Sequence, residues 1–225
     1  MVADELNRIR ARMAAAADRA GRNPDDVTLV AVSKGQSEEA ILAAYKAGQR
    51  NFGENRAAEL AAKAPRLPVD IIWHFIGTLQ TRQAKIALPH TNLLHSLDRP
   101  RLVNSWAAGE QRSPVLIQVN VAGEQQKHGI APSETAGFLE LAIAGGLDCV
   151  GLMTIPPLAT DDQANREIFD QLRRLRDRLA VGHRGLVELS MGMTDDFETA
   201  IEEGATMIRV GRAIFGPPGV PARSN

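Results

Sequence analysis

Residues 27–55 read VTLVAVSKGQSEEAILAAYKAGQRNFGEN, and this stretch decides the fold. Positions 27–32 are a short run of apolar, largely β-branched side chains, the pattern of a strand buried on both faces. Positions 38–47 space their apolar residues as a helix does, and 51–52 open a second strand. Strand, helix and strand in that order make a βα unit, and the same alternation recurs outward along the chain. Further strands are expected at 71–75, 93–95, 115–119, 148–152, 186–188 and 207–210, which makes eight. Helices are expected at 56–64, 99–108, 133–144, 163–179 and 196–203, with one more at 5–20 ahead of the first strand. An open doubly wound sheet would alternate similarly, but its clustered glycines after the first strand are missing. The expectation is therefore a closed (β/α)8 barrel.

The chain has 225 residues, which suits one such barrel and leaves little room for a second domain, so 1–225 reads as a single unit with a short tail at 217–225. At 44% hydrophobic and 24% charged residues it can bury a core. A formal net charge of −1, with lysine and arginine spread along the chain, lacks the basic footprint of a nucleic-acid or membrane-surface binder. Cys149 is the only cysteine, which excludes an intrachain disulfide or a thiolate metal cluster and suits a reducing compartment. The opening MVADELNRIRARMAAAADRAG is charged and amphipathic, with no apolar leader segment. The expected setting is the cytoplasm, with no metal.

Barrels of this kind work at the C-terminal ends of their strands. The first strand runs into Lys34, an amine that partial desolvation could make nucleophilic, although a lone lysine at a strand end is more often a solvated cap. Asn55 follows the second strand within FGEN, where helix capping explains it equally well. His74 lies in IIWHFIG, ahead of LQTRQAK, a run of polar side chains suited to a rim; alone, such a histidine is usually structural. The fifth strand opens onto a polar loop containing Asn120, Lys127 and His128. Met153, at the end of the sixth, could lie beneath a flat ring or simply fill core. LSMGM and IRVGRAIFG are small-residue turns opening onto helices, placed where barrels bind phosphate through backbone N–H groups. Ser190 would add a hydroxyl donor, Gly192 and Gly211 would allow close approach, and Arg209 and Arg212 would supply positive charge. An amine at the mouth and an anion cradle across the barrel suit a phosphorylated carbonyl compound, and pyridoxal 5′-phosphate meets both demands.

The ordered motifs VAVSK, FGEN, WHFIG, HSLD, QVN, KHG, GLMTIP, LSMGMTDDFETAIEEG and IRVGRAIFG, running from Val27 to Gly216, strongly resemble the pyridoxal phosphate homeostasis protein family. The resemblance implies a barrel like the N-terminal domain of alanine racemase, fold type III among pyridoxal phosphate proteins. It also implies a Schiff base on Lys34, phosphate contacts from Ser190, Gly211 and Arg212, Arg209 facing the pyridine nitrogen, and Asn55 and His74 near the ring. Where relatives usually carry a short LQSNK, this chain has residues 79–85, LQTRQAK, so the contacts of that loop do not carry over.

A permanent cation beside the pyridine nitrogen weakens the cofactor as an electron sink. A racemase would also need a second base, which in alanine racemase comes from another domain and the partner subunit. The one tyrosine, Tyr45, falls inside the helix after the first strand. The expectation is a carrier or buffer of pyridoxal phosphate and related B6 vitamers without catalytic residues, monomeric, and able to serve apo-enzymes that need the cofactor. The competing readings are a small amino-acid racemase or Schiff-base lyase using His74 or a loop residue as second base, and a phosphosugar aldolase using Lys34.

Overall fold

The computed structural model describes residues 1–109, 111, 113–124, 128–157 and 161–217. Lys127 and positions 218–225 of the tail lie outside the described residues. Eight strands close into a barrel in chain order: β1 (Thr28–Val32), β2 (Asn51–Glu54), β3 (Ile72–Phe75), β4 (Leu93–Leu97), β5 (Val115–Gln118), β6 (Cys149–Met153), β7 (Glu188–Ser190) and β8 (Met207–Val210). Every neighbouring pair is parallel, and β8 returns to β1 with Val30 opposite Arg209. Parallel strands flanked by helices bury both faces, which is why β4, β5 and β8 read as unbroken buried runs.

The outer ring comprises α1 (Val2–Arg19), α2 (Glu38–Lys46), α3 (Ala57–Lys63), α4 (Ala84–Ala87), α5 (Pro100–Ala107), α6 (Thr135–Ala144), α7 (Asp162–Ala180), α8 (Phe197–Glu202) and α9 (Arg212–Phe215). α1 buries Leu6, Ile9, Met13, Ala16 and Ala17, a three-to-four-residue stripe, and packs on α8, α9 and α2. The main core lies between helices and strands, while Leu93, Leu116, Met153 and Met207 form a separate buried cluster.

Two expectations change. The seventh strand runs from Glu188 to Ser190 rather than over 186–188, because its register is set by β6, with Gly151 opposite Glu188 and Met153 opposite Ser190. Gly151 permits this approach, since a Cβ there would stand 2.1 Å from the carbonyl oxygen of Glu188. Positions 186–187 end a turn instead, with Leu186 N–H donating to His183 O. The stretch after β3 is not a simple polar rim either. It folds as a 3-10 turn (Thr81–Gln83), α4 and a second 3-10 turn (Leu88–His90), because Leu79, Ala84, Ala87 and Leu88 are buried.

Candidate functional site

Lys34 is exposed in the turn after β1 and makes no hydrogen bond or ion pair among the described residues. Below it, Val30 and Val32 point into the barrel: a Cβ on Gly53 would stand 3.1 Å from Val30 Cγ1, and one on Gly211 3.2 Å from Val32 Cβ. The turn after β8 is thus beside the Lys34 strand. The anion cradle expected across the barrel is next to the amine, because closure makes the first and last strands neighbours.

Asn55 follows β2 and has a buried Oδ1 without a hydrogen-bond partner among the described residues. Its main chain is held close to Gly77, where a Cβ would lie 2.3 Å from Asn55 O, and Ser96 Oγ donates to Gly77 O at 2.6 Å. An acceptor left open in this way is expensive unless something donates to it.

The barrel interior holds a line of polar side chains that the sequence suggested only in part. Arg209 Nη1 donates to Ser190 Oγ at 2.6 Å, and its Nη2 donates to Thr154 O at 2.9 Å. Arginine only donates, so Ser190 Oγ accepts from it, and the same oxygen lies 2.8 Å from His95 Nδ1. His95 carries its proton on Nε2 and donates to His74 Nδ1 at 2.9 Å, and His74 Nε2 donates to Asn51 Oδ1 at 2.9 Å. The directions follow from the far end of the line: Asn51 Oδ1 can only accept, so in neutral rings both Nδ1 atoms accept and Ser190 gives its proton to His95. Both rings are neutral: burial lowers His74 to a pKa of about 4, and burial, His74 and Arg209 hold His95 well below its ordinary value. Burial also lowers Arg209 to about 10, with Asp196 pulling it back, so the guanidinium stays charged at neutral pH.

After β7 the chain turns at Gly192, with φ of 91° and room for no side chain, since a Cβ would stand 2.5 Å from Ala200 Cβ. After β8, Gly211 leads into α9, where Ile214 and Phe215 N–H donate to Gly211 O at 2.9 and 3.0 Å, so among the described residues Arg212 and Ala213 N–H are the open donors of this turn. Arg212 is turned outward and pairs with Asp195 at 2.8 Å. Ser190, expected in the turn, is fully buried at the end of β7. Met153, which the sequence allows beneath a flat ring or in the core, is fully buried with Leu93, Leu116 and Met207. The structure therefore gathers Lys34, Asn55, Gly192, Gly211 and Arg209 around one end of the barrel. His74 lies deeper in the interior line.

His95, Thr154 and Asn51 were not expected. His95 lies two positions beyond Leu93 on the fourth strand, so period-two spacing was the available signal. Tyr45, as expected, is away from the strand ends: it donates to Asp70 at 2.7 Å, ahead of β3.

The donor set suits a phosphorylated, electrophilic aromatic aldehyde: a free amine, glycine turns with first-turn N–H groups and one buried cation. Residues 5–218 match the family described as alanine racemase, N-terminal domain. A pyridoxal phosphate homeostasis protein of Aquifex aeolicus is 39% identical over 95% of this chain and 96% of its own length. A solved structure of an unknown protein from Bifidobacterium adolescentis superposes with a TM-score of 0.91 at 34% identity, covering 95% of this chain and 94% of that one. PipY of Synechococcus elongatus, solved with PLP bound, gives 0.81 at 34% identity, covering 96% of this chain and all (100%) of that one. The fold agrees with these likenesses: the chain belongs to the pyridoxal phosphate homeostasis proteins, within the alanine racemase N-terminal domain family.

Proposed function

We propose that this protein binds pyridoxal 5′-phosphate and holds it reversibly through Lys34, serving cellular homeostasis of the cofactor as a carrier or buffer. The vitamer supplies an aldehyde that condenses with a primary amine and releases water. The rest is the work of the chain. Lys34 offers an exposed amine with no described partner, the observation that carries the reading. The Gly192 and Gly211 turns offer main-chain donors to a phosphate beside that amine, and Arg209 offers a cation toward the ring. Asn55 Oδ1 offers an acceptor still in need of a donor.

The carrier reading is favoured over a racemase or lyase because the interior histidines are committed. Both ring nitrogens of His74 are hydrogen-bonded, and burial keeps the ring neutral. A base with both nitrogens engaged below the mouth is poorly placed to take a proton from a substrate carbon. The same reading takes residues 1–225 as one domain working as a monomer in the cytoplasm, with apo-enzymes that require the cofactor as recipients. No described helix is long and apolar enough to cross a membrane, and Cys149 is buried, which suits that setting.

The test is an absorption spectrum of protein mixed with pyridoxal phosphate, followed by borohydride reduction and peptide mapping. A single reduced adduct on Lys34, abolished in Lys34→Ala with the fold retained, is the expected result. An adduct on another lysine, or none, overturns the reading. Deuterium exchange at the α-carbon of added amino acids, lost in Lys34→Ala, would instead establish the enzyme.

A further inference from the structure

Behind the Lys34 turn, between the barrel and α3, lies Lys63, the only buried lysine among the described residues. Its ammonium has three protons, and all three are placed: on Ser33 O at 2.9 Å, on Glu54 Oε1 at 2.8 Å and on Glu59 Oε1 at 2.6 Å. The two carboxylates reach on to the residues flanking Lys34. Ser33 Oγ donates to Glu54 Oε1 at 2.8 Å, and Gly35 N–H donates to Glu59 Oε1 at 2.6 Å. The main chain of Ser33 is fixed further, its N–H donating to Gly53 O at 2.9 Å and its carbonyl accepting from Gln36 N–H at 3.0 Å. The residue before Lys34 and the residue after it are therefore tied to one ion triad, while Lys34 itself has no hydrogen bond or ion pair among the described residues.

Such a triad is a poor way to gain stability alone. Glu54 is fully buried and Lys63 nearly so, and a well-packed apolar pair in that space often does as well as a buried ion pair. What the triad supplies is position. It has directed bonds on both sides of one residue, at the place where an amine must meet a carbonyl within a few tenths of an ångström of the productive approach.

We infer that Lys63, Glu54 and Glu59 act as positioning residues that hold the Lys34 turn so that its amine captures the aldehyde covalently, adding covalent retention to the affinity of the phosphate turns. The inference rests on the reading of Lys34 as the anchor. It separates two parts of binding: recognition of phosphate and ring, which belongs to the turns after β7 and β8, and bond formation, which needs the clamp.

Pyridoxine 5′-phosphate keeps ring and phosphate but carries an alcohol in place of the aldehyde, so it reports recognition without the bond. Two variants of the full chain are compared with the parent protein. Glu59→Gln weakens the clamp at its half-buried end; Glu54→Met/Lys63→Met removes it while refilling the space with apolar volume, and thermal melting verifies both folds. In each, the apparent dissociation constant for pyridoxal phosphate should rise by about tenfold or more, while that for the alcohol stays within about twofold. Equal weakening for the two ligands, or no change in either, overturns the clamp. Absence of a borohydride-stable Lys34 adduct in the parent protein overturns the anchor itself, whereas an intact parent adduct with unaltered variants overturns the clamp alone.

Discussion

Two buried polar networks flank the mouth of this barrel, and they are built from opposite materials. Outside the strands, the Lys63 clamp uses a cation and two carboxylates, one of which, Glu59, keeps 20% of its side chain in solvent. Inside, the line from Arg209 to Asn51 contains one cation and carries its order onward through neutral hydroxyl and imidazole groups. The difference follows from what each place can tolerate. A pocket between sheet and helix can admit opposite charges together, whereas the barrel interior surrounds its members on every side, so hydrogen-bond direction replaces charge. The sharpest way to break this contrast is Lys63→Met alone. Leaving Glu54 buried without its partner should cost about 3–5 kcal/mol in urea unfolding, and Glu54→Met/Lys63→Met should recover most of it. Equal losses in the single and double variants would mean that the triad stabilises through more than charge compensation.

Acid should separate the networks next. His74 is held near a pKa of about 4 against an ordinary 6.5, so between those values the unfolded chain binds a proton that the folded chain refuses. The contribution of His74 is fully present above pH 6.5 and is lost as pH falls toward 4, amounting to about 3 kcal/mol at about 1.4 kcal/mol per unit. His95, also held low, steepens the same limb. Glu54 works in the other direction. Burial raises its carboxyl despite the hydrogen bonds from Lys63 and Ser33, so that contribution is present at low pH and lost as pH rises through the carboxylate range. Urea midpoints across this window should therefore fall on acidification and flatten in His74→Gln. A steeper acid limb in that variant would sink the assignment of neutral rings. At constant neutral pH, His95→Phe should cost about 2 kcal/mol, because it leaves the Ser190 proton and His74 Nδ1 without partners. That loss should be smaller than the one from Lys63→Met, since no bare charge is left behind.

The two networks were unequally legible in the sequence. The barrel could be read because a parallel strand must be apolar on both faces and a helix on one, and 27–32 and 38–47 carry those periods without ambiguity. Lys34 could be found because it ends the first such run. The clamp was hidden because Glu54 and Lys63 are separated by a helix boundary and resemble a cap and a solvated helix end, which only packing of α3 against the sheet overrules. The interior line was hidden for another reason: which atoms meet depends on barrel register, and β7 starts two positions later than its apolar pattern suggested. With that shift Ser190 becomes a strand residue facing Arg209 instead of a turn hydroxyl. The same closure explains why the Lys34 turn and the Gly211 turn are neighbours, a relation that strand order alone fixes.

Arg212 gives the smallest expected effect and tests whether the contrast between buried and exposed charge extends to the ligand. Its side chain is 72% exposed and pairs with Asp195, itself 80% exposed, so solvent screens the pair and its loss should change stability by less than about 0.5 kcal/mol. Toward a phosphate, the Gly211 turn offers main-chain N–H groups that Arg212→Ala leaves in place. Affinity for pyridoxine 5′-phosphate should then fall only about threefold or less, mostly through lost long-range attraction, and the difference should shrink further as salt is added. A loss of about a hundredfold that persists in high salt would mean that the guanidinium leaves Asp195 and grips the anion directly. Exposed charge at the mouth would then contribute to binding as much as the buried cation does, and the division between the two kinds of network would hold for the apo fold alone.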